Sequence, residues 1–117
     1  MPVRVRRLLN RSEFLKIKAE GARAPSQAFV LQWLDVPAEE GLAVGFTTSG
    51  ALGNAVKRNR ARRRLKAAFD SACRLNPKAK GSGKWLVIVG KMPIFEIEYA
   101  YLVKDMVKAL AAAGVQC

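Results

Sequence analysis

Apolar positions recur at helical spacing in some stretches of the chain and at every second residue in others. Ser12 stands ahead of Phe14, Leu15, Ile17 and Lys18, and Gly21 follows, so the spacing predicts a helix capped by Ser12 that stops before Gly21. Gln27–Leu34 reads as a strand with Phe29, Leu31 and Trp33 on one face and Ala28, Val30, Gln32 and Leu34 on the other. Residues 35–41 read as a turn, and Leu42–Thr48 as the returning strand of a hairpin. Its bulky Leu42, Val44, Phe46 and Thr48 alternate there with Ala43, Gly45 and Thr47. Such a hairpin has one face suited to a core and one that is lean at its centre, fit for a close helix or a shallow groove.

Residues 49–53 break the strand, and Asn54 caps a helix expected to run to about Arg74. Asn76–Lys84 is a polar loop. Trp85–Lys91 is a continuous apolar run, the pattern of an interior strand buried on both faces. Pro93 opens a last helix with Ile94, Ile97, Tyr101, Met106 and Leu110 among its apolar positions. No internal repeat interrupts this order. Helix, strands, helix, strand and helix together predict an α+β sandwich, with helices against a small mixed sheet.

The second helix carries the chemistry. At ~100° per residue, Ala61, Leu65, Ala68, Phe69 and Ala72 form one apolar stripe for packing on the sheet. Asn59, Arg62, Arg63 and Lys66 form a second face, and Lys57, Arg60 and Arg64 a third on the opposite flank. Arg58 lies near the apolar stripe, but in the first turn, where a long side chain can extend outwards. Cations this close repel along a helix by a few tenths of a kcal/mol per pair, and an anion offsets that cost. Arginine forks bind phosphate oxygens in pairs and stack on bases, whereas lysine acts as a point charge. Two cationic faces suit two strands or two partners better than one row of phosphates.

Charge distribution supports a polyanionic partner. The 117 residues hold 21 Lys and Arg against 9 acids, a net +12, in a chain that is half apolar and therefore of folded composition. Residues 1–23 carry +5, residues 24–56 carry −3, residues 57–69 carry +7 and residues 70–117 carry +3. Two basic blocks around an acidic interval make a directional field, which suits nucleic acid. The length fits one domain, residues 1–117. The chain has no His, which removes histidine acid–base chemistry, histidine metal sites and the usual triads. Cys73 and Cys117 fit neither a disulfide framework nor a zinc site, and suit a reducing, cytoplasmic setting. The Arg-rich start is expected to belong to the domain, and no stretch reaches the ~20 apolar residues of a membrane span. Catalytic and metal-ligating residues are expected to be absent. The acids are scattered, and Glu96 and Glu98 do not share a helical face.

Gly53–Phe69, "GNAVKRNRARRRLKAAF", resembles the signature of the bacterial ribonuclease P protein subunit, with Arg58-Asn59-Arg60 at its centre. "LLNRSEFLKIKAEG", "FVLQWL", "VGFTTS" and "WLVIVGK" resemble that family's first helix and strands. The resemblance implies a two-layer α/β sandwich with a small mixed four-stranded sheet, in which a basic crossover helix joins parallel strands with a left-handed turn. It implies a noncatalytic subunit that binds a catalytic RNA and the 5′ leader of precursor tRNA. Mg²⁺-dependent hydrolysis belongs to that RNA, so the magnesium ions are expected mainly on the RNA subunit and substrate. No membrane and no obligate protein partner are implied.

Carried onto this chain, the resemblance assigns RNA contacts to Arg58, Asn59, Arg60, Arg62, Arg63 and Lys66, and the flanking Lys57 and Arg64 are candidates beside them. Phe14, Lys18 and Gln32 fall where the family lines a leader cleft. Lys18 stands in place of a common second aromatic and Gln32 in place of a common strand Tyr, so stacking gives way to charge and hydrogen bonding. Gly50 and Ala51 replace a basic pair the family usually carries. The alternative reading is a ribosomal or other RNA-scaffolding protein, which accounts for the charge but not for the Arg-Asn-Arg context.

Overall fold

The computed structural model describes residues 5–7, 11–37, 41–48, 53–75 and 83–114. In chain order these form β1 (Val5–Arg7), α1 (Arg11–Glu20), β2 (Ala22–Pro25), β3 (Phe29–Asp35), β4 (Leu42–Thr48), α2 (Ala55–Leu75), β5 (Lys84–Gly90), a 3-10 turn (Met92–Phe95) and α3 (Tyr99–Ala112). The strands make one mixed sheet in the order β1-β4-β5-β3-β2. β5 runs parallel to β4 and antiparallel to β3. The expected α+β sandwich is present: four strands, β2 to β5, form its body, and the three-residue β1 extends one edge alongside β4.

Strand alternation sorts the side chains onto two faces. Phe29, Leu31, Leu42, Val44, Leu86 and Ile88 are buried on one face, beneath Ala61, Leu65, Ala68, Phe69 and Ala72 of α2 and Leu102, Met106 and Leu110 of α3. Phe46 and Phe69 meet edge to face, with ring centroids 5.8 Å apart, an arrangement favoured by the ring quadrupoles. α1 lies on the other face, where Ile17 packs with Ala43 and Val87, flanked by Phe14, Leu34, Trp85 and Val89. A Cβ on Gly21 would stand 2.5 Å from the carbonyl oxygens of Ile17 and Trp33. The end of α1 therefore approaches β3 as closely as only glycine permits.

Several expectations are corrected. β3 and β4 are not a hairpin, because β5 lies between them and pairs with both. β5 is the strand with the least polar sequence, and a strand apolar on both faces is buried best with neighbours on each side. β3 begins at Phe29, not Gln27, and Ala28 joins the main core instead of the opposite face. β2 had no counterpart in the expected elements: Ala-Arg-Ala-Pro lacks β-branched and aromatic residues, and Pro25 is tolerated there because β2 is an edge strand. Ser12 lies inside α1, since the helix starts at Arg11; Asn10, the residue before it, is outside the described residues. β5 opens at Lys84, whose ammonium pairs with Asp35 across the register. The 49–52 break, Gly50 and Ala51 included, and residues 76–82 of the polar loop are also outside the described residues.

Pro93 opens a short 3-10 turn, and α3 starts only at Tyr99. Tyr101 is accordingly exposed, while its neighbour Leu102 is buried. Glu96 and Glu98 precede α3 instead of lying on it. Cys73, expected as a thiol, is disulfide-bonded; Cys117, the chain's other cysteine, is outside the described residues. Among the described residues, no helix is long and apolar enough to cross a membrane.

Candidate nucleic-acid interface

α2 is organised as its periodicity requires. The side chain of Asn54 caps it, with Oδ1 accepting the backbone N–H of Lys57 at 3.1 Å, which satisfies one of the donors a helix start leaves open. All five residues of the apolar stripe are buried. The opposite surface is cationic. Lys57, Arg58, Asn59, Arg60, Arg63 and Lys66 are exposed, and Arg62 is half-buried. Arg58, near the apolar stripe by angle, escapes into solvent from the first turn as its length allows.

Two members of the second face are linked. Arg62 Nη2 donates to Asn59 Oδ1 at 2.6 Å, which fixes one edge of the guanidinium and leaves the Asn59 amide nitrogen to donate elsewhere. Among the described residues, no carboxylate pairs with Lys57, Arg58, Arg60, Arg62, Arg63 or Lys66. Seven cations in ten positions without internal neutralisation leave a strong local field, available to phosphates.

Arg64 departs from the expected arrangement. It is half-buried and donates from Nη1 to the carbonyl of Ile94 and from Nη2 to the carbonyl of Ile97, the latter at 2.7 Å. Both partners lie about thirty residues away in the chain. The third face is thus reduced at its outer surface to Lys57 and Arg60.

The leader-cleft candidates lie on the other side of the sheet. Phe14 is half-buried against the Ile17–Ala43–Val87 cluster. Gln32 is half-buried on β3, level with Val87 of β5. Phe14 and Gln32 therefore share one sheet face, while Lys18 is exposed on α1 next to the buried Ile17. Beside α1 the same face carries Val30, Val89 and Thr47, all half-buried, in one row; in the next, Gln32 is half-buried while Val87 and Gly45 are buried. The partly exposed side chains of this face are thus the apolar Val30 and Val89 beside the polar Thr47 and Gln32.

Arg23 is a residue the sequence reading passed over. It is exposed on β2, directly across the register from Gln32, and so belongs to the same face. Its alternation with Ala22 and Ala24 was the available signal, hidden because that segment did not read as a strand. Trp85 was likewise read only as core. It is half-buried at the far end of this face, with the Lys16 ammonium 6.0 Å from its ring centroid, within range of a cation–π contact.

Among the described residues, no three His, Cys, Asp or Glu side chains gather where they could hold a metal ion. The described arrangement offers cations and amide donors of the kind that suit anions and bases. The model of the Ribonuclease P family matches residues 2–114, nearly the whole chain. The chain belongs to the ribonuclease P protein family. A "Ribonuclease P protein component" of Gluconacetobacter diazotrophicus is 39% identical over 116 residues, covering 99% of this chain and 97% of that one. The protein of the same description from Geobacillus kaustophilus is 30% identical over 109 residues, covering 92% and 86%. The fold agrees with solved ribonuclease P proteins. That of Thermotoga maritima superposes with a TM-score of 0.72 at 20% identity, over 91% of this chain and 96% of that one. A Staphylococcus aureus RNase P protein mutant gives 0.74 at 18% identity, over 93% and 88%.

Proposed function

We propose that this chain acts as the noncatalytic protein subunit of a ribonuclease P ribonucleoprotein, the endoribonuclease that matures the 5′ end of tRNA. One observation carries the reading: α2 seats its alanine-and-leucine stripe on the sheet and turns a set of unneutralised cations outward, on a chain that matches the family from residue 2 to 114. Membership of that family favours this subunit over a ribosomal or scaffolding protein of similar charge.

In this reading Asn59, Arg62, Arg63 and Lys66 dock on the catalytic RNA subunit, with Lys57, Arg58 and Arg60 around the helix start. Each neutralised phosphate releases counterions, so the attraction is long-ranged and salt-sensitive. The 5′ leader of precursor tRNA lies across the sheet face beside α1. There Phe14 stacks on a base, Val30 and Val89 form an apolar floor, and Gln32 supplies hydrogen bonds to a base edge or 2′-hydroxyl. Stacking on one aromatic contributes ~1–3 kcal/mol per base, and Lys18 adds charge where a second ring is missing.

Magnesium, in this reading, belongs to the RNA subunit and the substrate. No chemical step is routed through the protein. The protein contributes binding and position, in the cytoplasm, where precursor tRNA is found. Reconstitution with the catalytic RNA subunit tests this directly. Added protein is expected to raise precursor-tRNA cleavage at low Mg²⁺ and to favour leader-bearing over mature tRNA. A rate unchanged by the protein would refute the proposal.

A further inference from the structure

Arg64 is the one member of the cationic run whose guanidinium is taken up by the protein's own backbone. Its two acceptors occupy a particular place. The 3-10 turn closes through bonds from the amides of Glu96 and Ile97 to the carbonyl of Pro93, and α3 begins with the amide of Leu102 bonded to the carbonyl of Glu98. The carbonyls of Ile94 and Ile97 fall between these two systems. No backbone amide among the described residues is bonded to either. Half-buried carbonyls without donors are costly, and the planar fork of Arg64 serves both at once. A lysine ammonium gathers its donors on one nitrogen and lacks the fork that spans both carbonyls.

A second bond lies on the same side of α2. Ser71, seven residues after Arg64 and thus two turns along the same flank, shares a hydrogen bond of 2.7 Å with the hydroxyl of Tyr99, the first residue of α3. The flank therefore abuts the connector between β5 and α3 over two turns. Lys57 and Arg60, nearer the helix start, remain exposed.

We infer that Arg64 is a positioning residue, not an RNA contact: it clamps the connector of residues 94–98 to α2, setting where α3 begins and holding the basic helix against the rest of the domain. The flank of Lys57, Arg60 and Arg64 then presents two cations to RNA, not three. The inference rests on the RNA-docking reading only for what Lys57 and Arg60 touch; the clamp itself is independent of it.

The test compares Arg64→Met, Arg64→Lys and Arg60→Ala in the full chain. Two quantities are read: the salt dependence of affinity for the catalytic RNA subunit, varied with KCl at fixed Mg²⁺, and amide hydrogen exchange. Arg60→Ala is expected to lower the slope of log affinity against log salt by roughly 0.7–0.9, one phosphate contact, with exchange unchanged. Arg64→Met is expected to keep the wild-type slope while the amides of residues 98–102 exchange about tenfold faster or more. Arg64→Lys should keep the slope and give intermediate exchange, because a single ammonium replaces the two-nitrogen fork that now reaches both carbonyls. This variant decides the matter if Arg64→Met fails to fold. A slope lowered in Arg64→Met as far as in Arg60→Ala, with exchange at 98–102 unchanged, would overturn the clamp. An unchanged slope in Arg60→Ala would count against the RNA reading of that flank, and the exchange data would still decide the role of Arg64.

Discussion

Replacing Arg62, Arg63 and Lys66 together by alanine removes the cations from the second face of α2 and leaves the buried stripe untouched. Arg63 and Lys66 are exposed, and Arg62 is held only by the side chain of Asn59. The variant should therefore fold as the parent does, with alanine favouring the helix and three repulsive neighbours gone. If each of the three meets one phosphate, the slope of log affinity against log salt falls by about 0.7–0.9 per contact, roughly 2–3 in all. A fourfold rise in salt costs each contact a factor of about three, so the parent should lose roughly 20–40-fold more affinity than the variant over that range. Filter binding or fluorescence titration against the catalytic RNA subunit at fixed Mg²⁺ measures this, with a thermal melt of the protein alone as control. A variant that binds more weakly but keeps the parental slope would refute the assignment of phosphates to this face.

Phe14→Ala should reduce the preference for leader-bearing over mature tRNA, by roughly the 1–3 kcal/mol of one stacked base, and leave affinity for the RNA subunit nearly unchanged; equal losses for both ligands would contradict a leader site beside α1. Arg23→Ala should weaken leader-bearing substrate and lower its salt slope by about 0.7, a single-strand contact, again sparing the RNA subunit; binding titrations with a leader-truncated substrate, on which the substitution should have no effect, check this. Leu65→Ala empties a fully buried site between α2 and the sheet and should cost ~2–5 kcal/mol in urea unfolding; a loss below about 1 kcal/mol would mean the stripe does not anchor the helix.

How much of this was legible in the sequence depended on whether the signal was local. α2 was read with its cap, its buried stripe and its outward cations because each is set by residues within two turns of one another. The two faces of β3 and β4 were legible for the same reason, through strict alternation. Their pairing was not, because adjacency in sequence suggested a hairpin, while the apolar run of β5 required the central position. That run already held the correction: a strand buried on both faces needs neighbours, and β3 and β4 were the strands available.

β2 was hidden by its composition. Ala, Arg and Pro carry little strand preference, and the segment is extended because β3 offers it a register. With it went Arg23, which can be placed on the α1 face only once the strand is known. The start of α3 was displaced because Pro93 fits the first turn of either helix type, and Tyr101 was counted among its apolar positions although Leu102 beside it is the buried residue. Arg64 shows the limit most clearly. Angular position on the helix grouped it with Lys57 and Arg60, and nothing within its own segment marked the two carbonyls, thirty and thirty-three residues on, that occupy it. The Arg-Asn-Arg neighbourhood, by contrast, led to the family from one uninterrupted stretch, and the match over residues 2–114 agrees with it.

Site-directed crosslinking in the assembled ribonucleoprotein tests the central claim most directly. Photoreactive groups placed one at a time at Asn59, Arg63 and Lys66 should attach to the catalytic RNA subunit, and a group at Gln32 to the leader of bound precursor tRNA, while groups at Lys104 and Lys108 on α3 should attach to neither. Crosslinks from α3 in preference to α2 would contradict the account.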